Sequence, residues 1–204
     1  MAYMAREQRK EAIVAAAVSI MLEEGFGAMT TRRVAAELGA ANGIIHHHFR
    51  TAAELKRAAF GHYLATQRHA FDQALSNVTP AQAVALFVED QISAAREREM
   101  RLWAEAWHEA RGDPELAEIY TAAVRDWHSL LCVLLERGTA LGVFRQQKDV
   151  GALAWRILAL GFGLSGMATL PAPPISPAEA RKAMADMITC ELGISLELRP
   201  DCPG

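Results

Sequence analysis

Apolar residues recur along this chain at spacings of three and four, and nowhere do apolar and polar positions alternate as in a strand, so the pattern predicts helices throughout. A first helix, Glu7 to Glu24, carries Ile13, Ala16, Ala17, Ile20 and Met21 on one stripe and stops at Gly25, leaving Phe26 to pack beneath the next two helices. Thr30 to Phe49 reads as two short helices. Val34, Ala35 and Leu38 are the apolar positions of the first, Gly39 ends it, and Ile44, Ile45 and Phe49 anchor the second. Two helices joined by a few residues that include Gly must cross steeply, which is a helix-turn-helix whose second member can enter the DNA major groove. A fourth helix opens at Thr51-Ala52-Ala53-Glu54, where the Thr51 oxygen can accept from the Glu54 amide while the Glu54 side chain reaches back. Its apolar residues fall on two stripes, Leu55, Ala59 and Tyr63 on one and Phe60, Leu64, Phe71 and Leu75 on the other, as a connector between a DNA reader and a body requires.

Thr79-Pro80-Ala81-Gln82 repeats the start signal for a fifth helix burying Val84, Phe87, Val88, Ile92 and Ala95. Glu99 to Arg111 is a sixth, with Met100, Trp103 and Trp107 at helical spacing and Gly112 after it. Asp113-Pro114 caps a seventh that carries Leu116, Ile119, Tyr120, Val124, Trp127, Leu131, Leu134 and Leu135 to a stop at Gly138, with a loop from Gly142 to Lys148. Asp149 to Leu170 is an eighth, broken by Pro171-Ala172-Pro173-Pro174. Ser176-Pro177-Ala178-Glu179 opens a ninth with Ala183, Met184, Met187, Ile188 and Leu192 before Gly193, and Ile194 to Gly204 reads as a frayed tail. The fold class is all-α: an N-terminal three-helix helix-turn-helix domain over 1–50, joined by the connector helix to a larger helical body over 51–204.

Composition agrees with this layout. Of 204 residues, 51% are hydrophobic, which excludes a disordered chain, and only 7% are aromatic. The net charge of -3 looks wrong for a DNA binder until the chain is divided: residues 1–70 hold nine Lys and Arg against six acids, and the remainder holds 12 against 18. A basic reader on an acidic body is the asymmetry expected of a DNA-binding module with a separate sensor. Cys132, Cys190 and Cys202 are odd in number and in no metal-ligand spacing, which points to free thiols in a reducing, cytoplasmic setting. Charged residues from Glu7 to Glu11 follow Met1 to Arg6, so no signal peptide is expected, and Met4 could be an alternative start. Val150 to Leu170 is long enough to span a bilayer, but Arg156, its glycines and the lack of a flanking basic cluster favour a helix buried in a subunit interface.

Three further patterns bear on chemistry. His46-His47-His48 suggests a metal, yet successive helical positions point about 100° apart and cannot share one ion, so no metal is expected. His46 and His48 are expected to face phosphate or bases, with His47 packed inward; protonation near a reference pKa of about 6.5 would strengthen attraction to DNA. Gly161-Phe162-Gly163-Leu164-Ser165-Gly166 matches G-x-G-x-x-G but follows no strand, so it reads as small residues permitting close packing with helix nine across a two-fold axis, and no cofactor is expected. Ser129 beside His128 has no carboxylate orienter, and neither G-x-S-x-G nor H-E-x-x-H occurs, so no catalysis is expected.

Thr30-Thr31-Arg32-Arg33-Val34-Ala35-Ala36-Glu37-Leu38-Gly39, then Gly43, His47-His48-Phe49 and Glu54-Leu55, resembles the DNA-binding segment of the TetR family of transcriptional regulators. Beyond residue 70 the length and helical layout are similar to those of the betaine-regulator (BetI-type) branch. The resemblance implies a homodimeric, ligand-responsive repressor that binds a pseudo-palindromic double-stranded operator and is released by a small-molecule inducer. It makes residues 51–204 the ligand-binding and dimerisation domain. Thr31 and Arg32 would open the helix that meets phosphate and a guanine, with Arg32 favoured over Arg33 by spacing. Asn42, Gly43, Ile44, His46 and His48 would lie on or near the groove side, Asn42 suiting adenine. Ala41 stands where a Ser or Thr commonly caps the recognition helix, a loss of roughly 1 kcal/mol. His48 stands where Tyr is usual, and Ala52 replaces a frequent phosphate-binding Lys, for which Arg50 could compensate. Trp103, Trp107, Tyr120 and Trp127 would line the inducer pocket unless they are simply core; with Glu105 and Glu109 nearby, and His108 and His128 as further lining, such a pocket suits a cation of choline type. The rival reading is a small all-α ligand-binding protein or enzyme that uses the Trp103 and Trp107 pocket.

Overall fold

The computed structural model describes residues 6–93 and 96–198. Expectations placed on Met4, on Ala95, on Cys202 and on the end of the tail lie outside the described residues. Among the described residues there are nine helices and no strand: α1 Arg6–Glu24, α2 Thr31–Glu37, α3 Asn42–His48, α4 Ala52–Ala74, α5 Pro80–Gln91, α6 Glu97–Ala110, α7 Pro114–Ala140, α8 Val150–Ala168 and α9 Pro177–Leu192. Side-chain caps fix several starts. The Thr79 and Ser176 hydroxyls accept from the amides of Gln82 and Glu179, whose side chains accept in return from the cap amides. That contact with Ser176 holds the Glu179 carboxyl below its ordinary pKa. Asp149 caps α8 by accepting from the Ala152 amide.

The chain divides into two compact units, one of residues 1–70 and 102–121, the other of residues 71–101 and 122–204. The first extends past residue 50 because one buried core joins Ile13, Ile20, Phe26, Val34, Ile45 and Phe49 to Leu55, Phe60 and Tyr63 of α4 and to Leu102, Ala106 and Leu116 of α6 and α7. Arg57 adds an ion pair to Asp113 at 2.9 Å, and the same carboxylate accepts from the Leu116 amide at 3.1 Å, capping α7.

In the second unit α5, α8 and α9 pack together. α8 is long and apolar enough to cross a membrane. Its Leu153, Ala154, Ile157, Leu158, Gly161, Leu164 and Ala168 are instead buried within this unit, while Trp155, Met167 and Leu170 are exposed. The glycine pattern splits in the same way. A Cβ at Gly161 would sit 3.4 Å from Met184 and from Gln91, whereas one at Gly163 or Gly166 would meet nothing within 4 Å.

The seventh helix does not stop at Gly138; it continues to Ala140, and the left-handed residue that ends it is Gly142 at φ 68°. Gly138 is there for space. A Cβ on it would overlap Cε2 and Cδ2 of Phe144, a ring that is only 4% exposed. Gly138→Ala should therefore destabilise the protein by about 1–3 kcal/mol through overpacking. Gly61→Ala, in α4 with open space around it, should stabilise by about 0.5–1 kcal/mol through helix propensity. Denaturant unfolding of the two variants checks both signs.

Candidate nucleic-acid interface

The turn between α2 and α3 is built from local signals. Thr30 accepts the Arg33 amide at 3.1 Å and starts α2. At its end the Ala40 amide reaches the Ala35 carbonyl at 2.9 Å and the Gly39 amide reaches Ala36 at 3.2 Å, with Gly39 at φ 58°. This doubly bonded left-handed stop reverses the chain after two turns of helix. α3 then begins at Ala41 with no side-chain cap. It is held by Ile45, 0% exposed, and by Phe49, 3% exposed, while Ile44 is only half-buried and Leu38 lies exposed.

The two arginines of α2 differ sharply. Arg33 is clamped by Glu24 at 2.6 Å and Glu37 at 2.8 Å, contacts that raise its pKa and tie α2 to the end of α1. Arg32 is exposed and makes no ion pair or hydrogen bond with the described residues. Asn42, Gly43 and His46 are exposed on α3, Thr31 is half-buried, and Arg50 is 93% exposed with Glu54 3.9 Å away. The Glu54 side chain reaches back one residue further than expected, accepting the Arg50 amide at 2.8 Å, while Thr51 accepts the Glu54 amide at 3.0 Å.

The histidines exchange roles. His47 is exposed and His48 is half-buried, their rings edge to face at 5.4 Å, so the inward member is His48. Burial is the main cause that holds its pKa below the ordinary histidine value, followed by the charges of His47, Arg6, Arg9 and Lys10.

The four aromatics expected in one pocket have different immediate neighbours. Trp103 and Tyr120, with centroids 5.3 Å apart, both contact Phe60 in the first unit, and Trp103 donates to Gln67 at 3.2 Å. Burial pushes the Tyr120 phenol up to about 12. Trp127 packs edge-on against Phe71 and Phe87 in the second unit, and Trp107 is 62% exposed. His128 stacks on Trp155 at 4.2 Å. Glu105 has a role with no local sequence signal: it accepts the Phe26 amide at 2.5 Å across the turn after α1. A groove of about 500 Å³ runs beside that contact, lined by Glu24, Gly27, Ala28, Glu105, His108 and Glu109.

A helix-turn-helix with an exposed, polar recognition face, carried in an all-helical chain, defines a DNA-binding regulator. Residues 13–59 match the bacterial regulatory proteins of the tetR family, and residues 80–193 match the BetI-type transcriptional repressor C-terminal region. The chain belongs to the TetR family of transcriptional regulators, in its BetI-type branch. It is 28% identical over 192 residues to the HTH-type transcriptional regulator BetI of Proteus mirabilis, covering 91% of this chain and 92% of that one. The BetI of Serratia proteamaculans is 27% identical, with 90% and 92% covered. A transcriptional regulator from Saccharomonospora viridis, solved in complex with choline, shares the fold at a TM-score of 0.82 and 24% identity, with 92% and 98% covered.

The depressed pKa of His48 has a consequence for stability. Its folded value lies below the unfolded value of about 6.5, so the unfolded chain binds more protons, and stability falls as pH drops below that value. Melting temperatures measured from pH 8 to pH 5.5 should fall more steeply for the wild type than for His48→Gln; parallel curves would contradict the assignment.

Proposed function

We propose that the protein is a cytoplasmic, homodimeric repressor that binds a pseudo-palindromic operator and is released by a small cation of choline type. Residues 1–50 read DNA, and residues 51–204 sense the ligand and dimerise. The observation that carries the DNA-reading part is the contrast between Arg32, exposed and with no side-chain partner among the described residues, and Arg33, clamped by two carboxylates. Arg32, Thr31 and Arg50 position the module on phosphate and reach a base edge; Asn42, Gly43, Ile44 and His46 present α3 to the major groove, and the inward-turned His48 seats its last turn. Two such helices on a dimer would occupy successive grooves about 34–36 Å apart. The exposed stripe Trp155, Gly163 and Met167 on α8, with Leu170 just after it, supports pairing with a second copy.

For the inducer, support comes from the choline complex of the similar Saccharomonospora viridis protein and from the Trp103 and Tyr120 rings gathered on Phe60. Of the four aromatics, Trp103 and Tyr120 carry the ligand proposal because they share one ring cluster, whereas Trp107 faces solvent and Trp127 belongs to another cluster. A ligand that prefers one body conformation shifts the population away from the DNA-binding one.

Mobility-shift titration against the DNA upstream of its own gene, across a salt series, should show sequence-selective binding with a steep salt dependence. Arg32→Ala should lower operator affinity by about 1–3 kcal/mol and relax the preference at one base position; selective binding that Arg32→Ala leaves untouched would contradict the role given to it. Calorimetric titration with choline should show binding that Trp103→Leu weakens at least about tenfold and that Trp107→Ala leaves unchanged.

A further inference from the structure

Many cations of this chain are committed to carboxylates: Arg33 to Glu24 and Glu37, Arg57 to Asp113 and Glu115, Arg96 to Asp90, Arg156 to Glu191 and Lys182 to Asp186. Arg6, Arg9 and Lys10 at the start of α1 are different. Their side chains make no hydrogen bond or ion pair with any described residue; Arg6 and Lys10 are exposed and Arg9 is half-buried. Helical periodicity puts the three on one sector, in line with Ile13, Ala17 and Ile20 further along, while Glu7 and Glu11 fall about 100° to one side.

That alignment fixes where the charges stand. Ile13, Ala17 and Ile20 are 0–2% exposed in the core that also buries Ile45 and Phe49, the anchors of the recognition helix. The sector of α1 that enters the core shared with α3 thus emerges at the helix end as a cationic patch. Its field is felt at His48, in the last turn of α3. The recognition helix itself carries no Lys or Arg, so its own side chains provide no permanent positive charge. Phosphate contacts supply a large share of the affinity of such modules and set their register, and cations placed beside the groove-entering helix strengthen them.

We infer that Arg6, Arg9 and Lys10 form a second, sequence-independent contact of the module, gripping backbone phosphates beside the groove that α3 enters. This inference rests on the DNA-reading role proposed above. The two guanidinium groups suit phosphate oxygens in pairs, and the Lys10 ammonium adds a flexible point charge.

The test uses the full-length protein and two fluorescent duplexes, one selected by the wild type from a random library and one scrambled. The variant R6Q/R9Q/K10Q should bind both more weakly by the same factor, leaving the preference ratio intact. Its log–log salt slope should shrink by about 0.9 for each phosphate that it no longer neutralises. Lys10→Gln alone, at an exposed position, should shrink it by about 0.9 and serves if the triple variant does not fold. If the wild type is selective and the variants match its affinity and slope, the inference is overturned while the regulator reading stands. It is also overturned if the preference ratio collapses, since the cations would then be reading bases. A wild type that selects no duplex overturns the regulator reading and this inference with it.

Discussion

The recognition helix cannot hold itself together. It is seven residues long, far below the length at which a helix is stable alone in water, and its Ala41 start offers no side-chain cap. What keeps it helical is burial of Ile45 and Phe49 in a core supplied by α1, α2, α4, α6 and α7. This dependence frees the opposite side. Asn42, Gly43 and His46 have no structural task inside the module and are available for contacts with DNA. The doubly bonded stop at Gly39 and the clamp on Arg33 do the complementary work, fixing the angle at which that face is presented.

Charged groups in this module therefore sort into two populations. Arg33, Arg57, Asp113, Glu54 and Glu105 are engaged with partners, several of them backbone amides, and hold elements in place. Among the described residues the side chains of Arg32, Arg6, Arg9 and Lys10 have no carboxylate partner. Net charge conceals this division. A chain at -3 can still present a positive edge, because its acids are partly occupied in internal pairs and partly located in the body.

Helix existence and most helix starts are legible in the sequence because their causes are local: Thr79, Asp149 and Ser176 sit beside the amides they cap. Gly138 reads as a stop because a glycine that ends a helix and one that admits a neighbouring ring look alike in sequence; only the approach of Phe144 separates them. The three consecutive histidines have no apolar period, so which one turns inward depends on how Ile45 and Phe49 seat α3 on the core. The aromatic residues of α6 and α7 carry helical spacing, which identifies a face but not its neighbour. Trp103 and Trp127 consequently stand in different ring clusters. For Glu105 no signal exists short of the tertiary fold, since its amide partner lies 79 positions away.

That last contact bears on how the protein is made. Phe26 is sealed by Glu105, and the core beneath α3 includes Leu102, Ala106 and Leu116, so the reader is assembled from two stretches of chain separated by α5 and its flanks. During synthesis the first fifty residues emerge before the residues of α6 and α7 that complete their core. Competence to bind DNA is thereby tied to the presence of α6 and the start of α7, the segments that also carry Trp103 and Tyr120.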